Sequence, residues 1–144
     1  MLKQSYMKYR KLAIECVGTF ILVLIIDLCR MQADGLTIAL ASGSVLAALV
    51  FAGGHISGAH FNPAVTLSVF LRGKCSAADV PSYIFSQFLG ASVAALLAST
   101  FFVNKLGSGM DLTTSVGQAL LAEILGSFFL CWVVLNVATS KDTE

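Results

Sequence analysis

The sequence predicts an all-α membrane protein with four transmembrane helices and one short re-entrant helix. Three observations carry that prediction. The 144-residue chain is 57% hydrophobic and only 12% charged, with a mean hydropathy of +0.85. A soluble domain of this size needs far more surface charge. Four apolar runs are each long enough to cross a bilayer, which takes about 20 residues. Finally, no Asp, Glu, Lys or Arg occurs from Gly35 to Leu71. One crossing uses little more than half of that stretch, and the remainder contains Gly54, His55, Gly58, His60, Asn62 and Pro63. Polar, helix-breaking backbone at membrane depth survives only when buried in protein or lining a watery path. The pattern is that of a re-entrant pore loop and implies a channel class.

The elements follow in order. Lys3, Lys8, Arg10 and Lys11 precede the first apolar run. That run reaches Asp27 without a small-x-small cleavage site, so it reads as a retained first span over 12–30. Gln32 to Gly35 form a turn, and a second span covers 36–53. A loop over 55–61 leads into a short helix over 62–71, closed by Arg72-Gly73-Lys74. Asp79 is the expected N-cap of the third span, with Pro81 in its first turn, and that span continues to about residue 103. A polar, Gly-containing loop over 104–114 precedes the fourth span over 115–139. The domain plan is thus an N-terminal segment over 1–11, a transmembrane domain over 12–140 that includes the re-entrant part at about 54–72, and a tail over 141–144. Small residues on span two (Gly43, Ser44, Ala47, Ala48) and span three (Gly90, Ala91, Ala94, Ala95) suit close helix packing in lipid.

With four crossings and a hairpin that enters and leaves on one side, Lys3, Lys8, Arg10, Lys11, Arg72, Lys74 and Lys141 share one face, and only Arg30 and Lys105 lie on the other. The bias places both termini in the cytoplasm. The net charge of +1, with basic residues at segment ends, gives no nucleic-acid face. Cys16, Cys29, Cys75 and Cys131 are not spaced as metal ligands. No metal or other cofactor is expected. No Ser-His-acid set, paired catalytic carboxylates or phosphate-cradling Gly loop is present, so an enzyme is not expected.

Within the hairpin, Asn62 and Pro63 read as N-cap and first residue of the short helix. Proline there forfeits no hydrogen bond. An Asn cap accepts from helix amides and leaves its side-chain NH2 free to donate. The helix N-terminus carries about half an elementary positive charge, which at mid-membrane disfavours cations. Gly58 supplies backbone freedom. His55 and His60 are five apart with no nearby Cys, Asp or Glu in sequence, so a structural role fits better than a metal site: neutral His can hydrogen-bond the loop and fix its shape. Glu15 lies four positions into a span, where an acid is costly and therefore paired or functional.

The segment Glu15-x-x-Gly18-Thr19-Phe20-x-Leu22 is echoed by Glu123-x-x-Gly126-Ser127-Phe128-x-Leu130, 108 residues later. An odd number of spans separates the copies, so they cross in opposite directions as an inverted repeat. A counterpart of Asn62 would fall near position 170, which leaves the repeat incomplete in this sequence and Glu123 without its expected partner.

The run from His55 to Thr66, with Asn62-Pro63-Ala64 at its centre, resembles the major intrinsic protein family, the aquaporins and glycerol facilitators. The Glu-x-x-Gly-Thr-Phe opening and its echo are also similar to that family, and the resemblance covers residues 12–140. It implies an aquaporin-like fold in which two half-helices meet through Asn-Pro-Ala motifs; this sequence has the first. It further implies that Gly58, Ala59 and His60 present a carbonyl ladder to water, that Glu15 braces the loop, and that Ser42, 20 residues before Asn62, stands at the outer constriction. A small residue there implies a mouth open to glycerol, urea or neutral metalloid acids beside water. Partners on this reading are the lipid bilayer, water or small neutral solutes, and a homo- or hetero-oligomer. Two readings stay open: a passive channel completed by a second half, or a truncated chain that does not conduct or that regulates full-length relatives. Inverted pairing of two copies would supply two half-helices, but the basic-residue bias opposes it.

Overall fold

A computed structural model describes residues 2–30, 34–102 and 115–139. The order is α1 (Leu2–Arg30), α2 (Gly35–Ser57), α3 (Pro63–Leu71), α4 (Val80–Phe102) and α5 (Val116–Ala138). Four of these are long and apolar enough to cross a membrane: Ser5–Arg30 within α1, and α2, α4 and α5. The nine residues of α3 rise only about 13 Å, less than half of a hydrocarbon core about 30 Å thick.

Helix α1 begins ten residues before its apolar run. Nothing in residues 2–11 breaks a helix, and the Arg10 guanidinium sits 5.7 Å from the Tyr6 ring centroid one turn earlier. Asp34 caps α2 by accepting from the Thr37 amide at 2.8 Å. That bond holds its carboxyl below the usual Asp range.

Helix α2 corrects the expected loop start. It does not stop at Gly53 but runs to Ser57, because the backbone hydrogen-bond ladder continues through Gly53 and Gly54. It ends where Gly58 takes φ 91° and donates its N–H to the Gly54 carbonyl. Asp79 is a second correction. Its backbone carbonyl, not its carboxylate, receives the Tyr83 amide and the Ser82 hydroxyl. Helix α5 opens with a reciprocal capping box between Ser115 and Gln118. The expected loop over 104–114 and the tail over 141–144 lie outside the described residues.

Helix α1 is the hub. It packs against α4 and α2, while α3 packs against α4 and α5. Gly90 lets α4 approach closely: a Cβ there would overlap the Cys16 carbonyl of α1. Ala94 and Ala98 continue that buried seam. The small residues of α2 behave differently. Gly43 meets nothing, whereas Gly53 lies against Ile14. No described residue of α5 is buried.

Candidate functional site: a re-entrant loop held on a buried carboxylate

The connection from α2 to α3 must turn sharply inside the protein. Ala59 and Phe61 take φ of 52° and 48°, a left-handed conformation that non-glycine residues adopt only when their surroundings over-determine it, at about 1–3 kcal/mol each. The first anchor is one side chain. Glu15 of α1 is fully buried. Its Oε1 accepts the Ser57 hydroxyl at 2.7 Å and the His60 amide at 3.0 Å. Its Oε2 accepts the Phe61 amide at 2.8 Å and the Gln87 Nε2 at 2.8 Å. Four donors thus meet the roughly four lone-pair sites of one carboxylate. Charge-assisted bonds of this kind are about twice as strong as neutral ones.

A second layer locks the same turn. The Ser57 hydroxyl also accepts the Ala59 amide at 3.0 Å, and the Ser57 carbonyl accepts the Tyr83 hydroxyl at 2.7 Å. Gln87 Nε2 also donates to Thr66 Oγ1 at 2.9 Å, and Thr66 Oγ1 donates to the Asn62 carbonyl at 3.1 Å. With that proton committed, Thr66 can only accept from His60 Nδ1, 3.2 Å away, which assigns the Nδ1–H tautomer. The His60 ring lies 5.2 Å from the Tyr83 ring, tilted by 59°. Gln87 Oε1 is buried without a partner among the described residues. Turning the amide over would point oxygen at the Glu15 carboxylate, so the orientation stands despite that cost. Gly18 receives the Phe61 ring where a Cβ would overlap it.

Asn62 is extended and caps α3. Its Oδ1 accepts the amides of Ala64 at 2.7 Å and Val65 at 3.4 Å. Its Nδ2 has no partner among the described residues. Pro63 is the first helical residue and Ala64 follows it. Asn62 and Pro63 line a cavity of about 280 Å³ together with Thr19, Phe61, Gln87 and Phe88. A second cavity of about 400 Å³ is lined by Ser57, Gly58 and His60 and opens beside Lys11, Lys74 and Asp79. The carbonyls of Gly58, Ala59 and His60 accept no hydrogen bond from any described residue.

Two sequence-predicted positions lie elsewhere. His55, expected to fix the loop, is exposed in the last turn of α2, and its side chain forms no hydrogen bond with a described residue. The extension of α2 past Gly53 turns it away from the loop. Ser42 is half-buried on α2, and its hydroxyl folds back onto the carbonyls of Ile38 and Ala39. It is not among the residues lining the cavity beside Asn62. Sequence reasoning passed over Gln87, Thr66 and Tyr83. Gln87 did carry a signal, as a lone amide inside an apolar span. The echo of Glu15 on α5 differs: Glu123 is exposed, its side chain makes no hydrogen bond or ion pair with a described residue, and a Cβ at Gly126 would meet no described atom within 4 Å.

Four apolar helices and a capped half-helix folded back on a buried acid define a multi-pass membrane protein with a re-entrant hairpin. The chain belongs to the major intrinsic protein family, whose profile it matches over residues 1–144. It is 37% identical to the glycerol uptake facilitator protein-like 6 of Lactiplantibacillus plantarum, with 92% of this chain and 65% of that protein aligned. It is 34% identical to the probable aquaporin NIP4-2 of Arabidopsis thaliana, over 92% of this chain and 50% of that protein. It is 38% identical to aquaporin Z of Photorhabdus laumondii, over 74% of this chain and 48% of that protein. The chain therefore spans about half to two-thirds of the length of these relatives.

Proposed function

We propose that this chain supplies one half of a passive channel for water and small neutral solutes such as glycerol, with the pore completed by a second half. The observation that carries the reading is Asn62. Its oxygen is spent on capping α3 and its Nδ2 has no partner among the described residues beside a cavity, so it can donate to a passing hydroxyl. The half-helix N-terminus behind it, with about half an elementary charge, repels cations while leaving neutral molecules unaffected. The carbonyls of Gly58, Ala59 and His60, unpaired among the described residues, would supply acceptors to a solute passing the loop. Similarity to proteins named as a glycerol uptake facilitator and as aquaporins supports this solute class. The distribution of Lys and Arg supports cytoplasmic termini. If Ser42 stands at the outer constriction, as the family resemblance implies, its small side chain leaves a mouth wider than water alone requires. Transport of this kind uses no catalytic residue, and the assembly is a homo- or hetero-oligomer in the bilayer.

The exposed Glu123 and Gly126 favour a second reading, a non-conducting subunit or fragment, because α5 offers a copy of the loop-holding surface that no described residue covers. The test is reconstitution of the 144-residue chain with a polypeptide carrying the second half of a full-length relative. Water and glycerol flux above that of empty vesicles is expected for the pair. Asn62→Asp keeps the cap acceptor but replaces the donor by a charge, and should admit cations. A co-purified pair whose flux equals that of empty vesicles would favour the second reading.

A further inference from the structure

A separate site lies at the membrane surface, at the end of the molecule that carries the first turns of α1. A cavity of about 560 Å³ opens between those turns and the start of α4, lined on its polar side by Ser5, Lys8, Lys11, Ser76 and Asp79. Its volume falls within the range of about 300–1,000 Å³ common for small-ligand sites. Lys8 and Lys11 are one turn apart and project to the same cavity. Neither makes an ion pair with a described residue, although Lys11 is half-buried. The N-terminus of α4, beginning at Val80, adds its partial positive charge at the far wall. Against these stands one carboxylate among the described lining residues, Asp79, so that lining keeps a positive excess.

The level of this cavity is fixed by the chain itself. Lys11 immediately precedes the apolar run of α1, and Tyr6 and Tyr9, 61% and 69% exposed, stand on the same turns. Aromatic rings and lysines at a span's end mark the headgroup level of a bilayer. We infer that this cavity binds a phosphate-bearing anion, held between Lys8 and Lys11 with Ser5 and Ser76 as hydroxyl donors. Two sources share that chemistry: the headgroup of an anionic phospholipid in the adjoining leaflet, and soluble phosphate. The inference needs only that the chain is embedded in a membrane and is independent of whether it conducts.

The experiment places the full chain in nanodiscs of phosphatidylcholine with increasing phosphatidylglycerol, and counts retained lipid by native mass spectrometry. The variants are K8Q/K11Q and a control, R10Q/R72Q, which removes the same charge near the same surface from residues that do not line the cavity. Glutamine keeps helix propensity close to that of lysine. At about fivefold per lysine, K8Q/K11Q should weaken phosphatidylglycerol retention about 25-fold, whereas R10Q/R72Q should weaken it far less. Asp79→Asn should strengthen it. If inorganic phosphate displaces the lipid at millimolar concentration, the site stands and soluble phosphate is a source. If it does not, the lipid headgroup is the ligand. Equal losses in the two double variants, or no loss in K8Q/K11Q, would overturn the inference.

Discussion

Replacing Glu15 should undo the loop more than any other single change. Glu15→Ala leaves three buried donors of the loop without an acceptor, the Ser57 hydroxyl and the amides of His60 and Phe61, while Gln87 Nε2 keeps Thr66 Oγ1. A buried donor left unpaired costs about 1–3 kcal/mol, so the three give a gross loss of about 3–9 kcal/mol. Part is recovered, because Ala59 and Phe61 are then free to leave their left-handed conformations, worth about 1–3 kcal/mol each. Taken at mid-range, the two effects leave a net loss of about 2 kcal/mol. Glu15→Gln keeps one acceptor oxygen and turns the other into a donor facing donors, so about half of that loss is expected. The assay is equilibrium unfolding in mixed micelles, paired with amide hydrogen exchange at His60 and Phe61. A loss below about 1 kcal/mol for Glu15→Ala, with both amides still protected, would refute the claim that this carboxylate holds the turn.

The inverted repeat supplies its own control. Gly18→Ala drives a methyl into the Phe61 ring and should destabilise by about 1–3 kcal/mol, whereas Gly126→Ala meets nothing and should gain up to about 1 kcal/mol from helix propensity; thermal unfolding of the pair checks the sign of each. Burial, and then the Asp79 charge, push the Cys75 thiol up, so thiolate is scarce at neutral pH. Maleimide labelling of Cys75 should be slower than that of a free thiol and faster in Asp79→Asn. In a conducting assembly, Ser42→Phe should reduce glycerol flux more than water flux; equal reduction would remove Ser42 from the constriction. The Asp34 carboxyl is held low by its cap bond to Thr37. Its contribution to α2 is therefore present above the ordinary Asp range and lost as pH falls through its folded value, and Asp34→Asn should flatten the acid limb of a stability profile.

Much of this architecture was legible because a bilayer imposes coarse rules. Apolar runs must span, and a charged residue inside one must find partners. Glu15 stood out for that reason, and Asn62-Pro63 because a cap followed by proline has one local meaning. The errors lie where local signals compete with tertiary contacts. Gly53-Gly54-His55 looks like a helix end, yet the ladder persists to Ser57 because Gly53 is packed against Ile14. Asp79 has the chemistry of a cap, yet its backbone carbonyl rather than its carboxylate meets the first turn of α4. Thr66, Tyr83 and Gln87 escaped because hydrogen bonds between residues up to 72 apart follow from how α1, α3 and α4 pack, which no local spacing encodes.

The central claim is that residues 58–71 enter the membrane and return without crossing it. Cys75, just beyond α3, tests this directly once Cys16, Cys29 and Cys131 are changed to alanine. In sealed vesicles at mildly alkaline pH, a membrane-impermeant maleimide should reach Cys75 from the same side as a tag on the N-terminus. Labelling from the opposite side would mean that this segment crosses the bilayer, and the re-entrant half-helix, with the pore built on it, would be wrong.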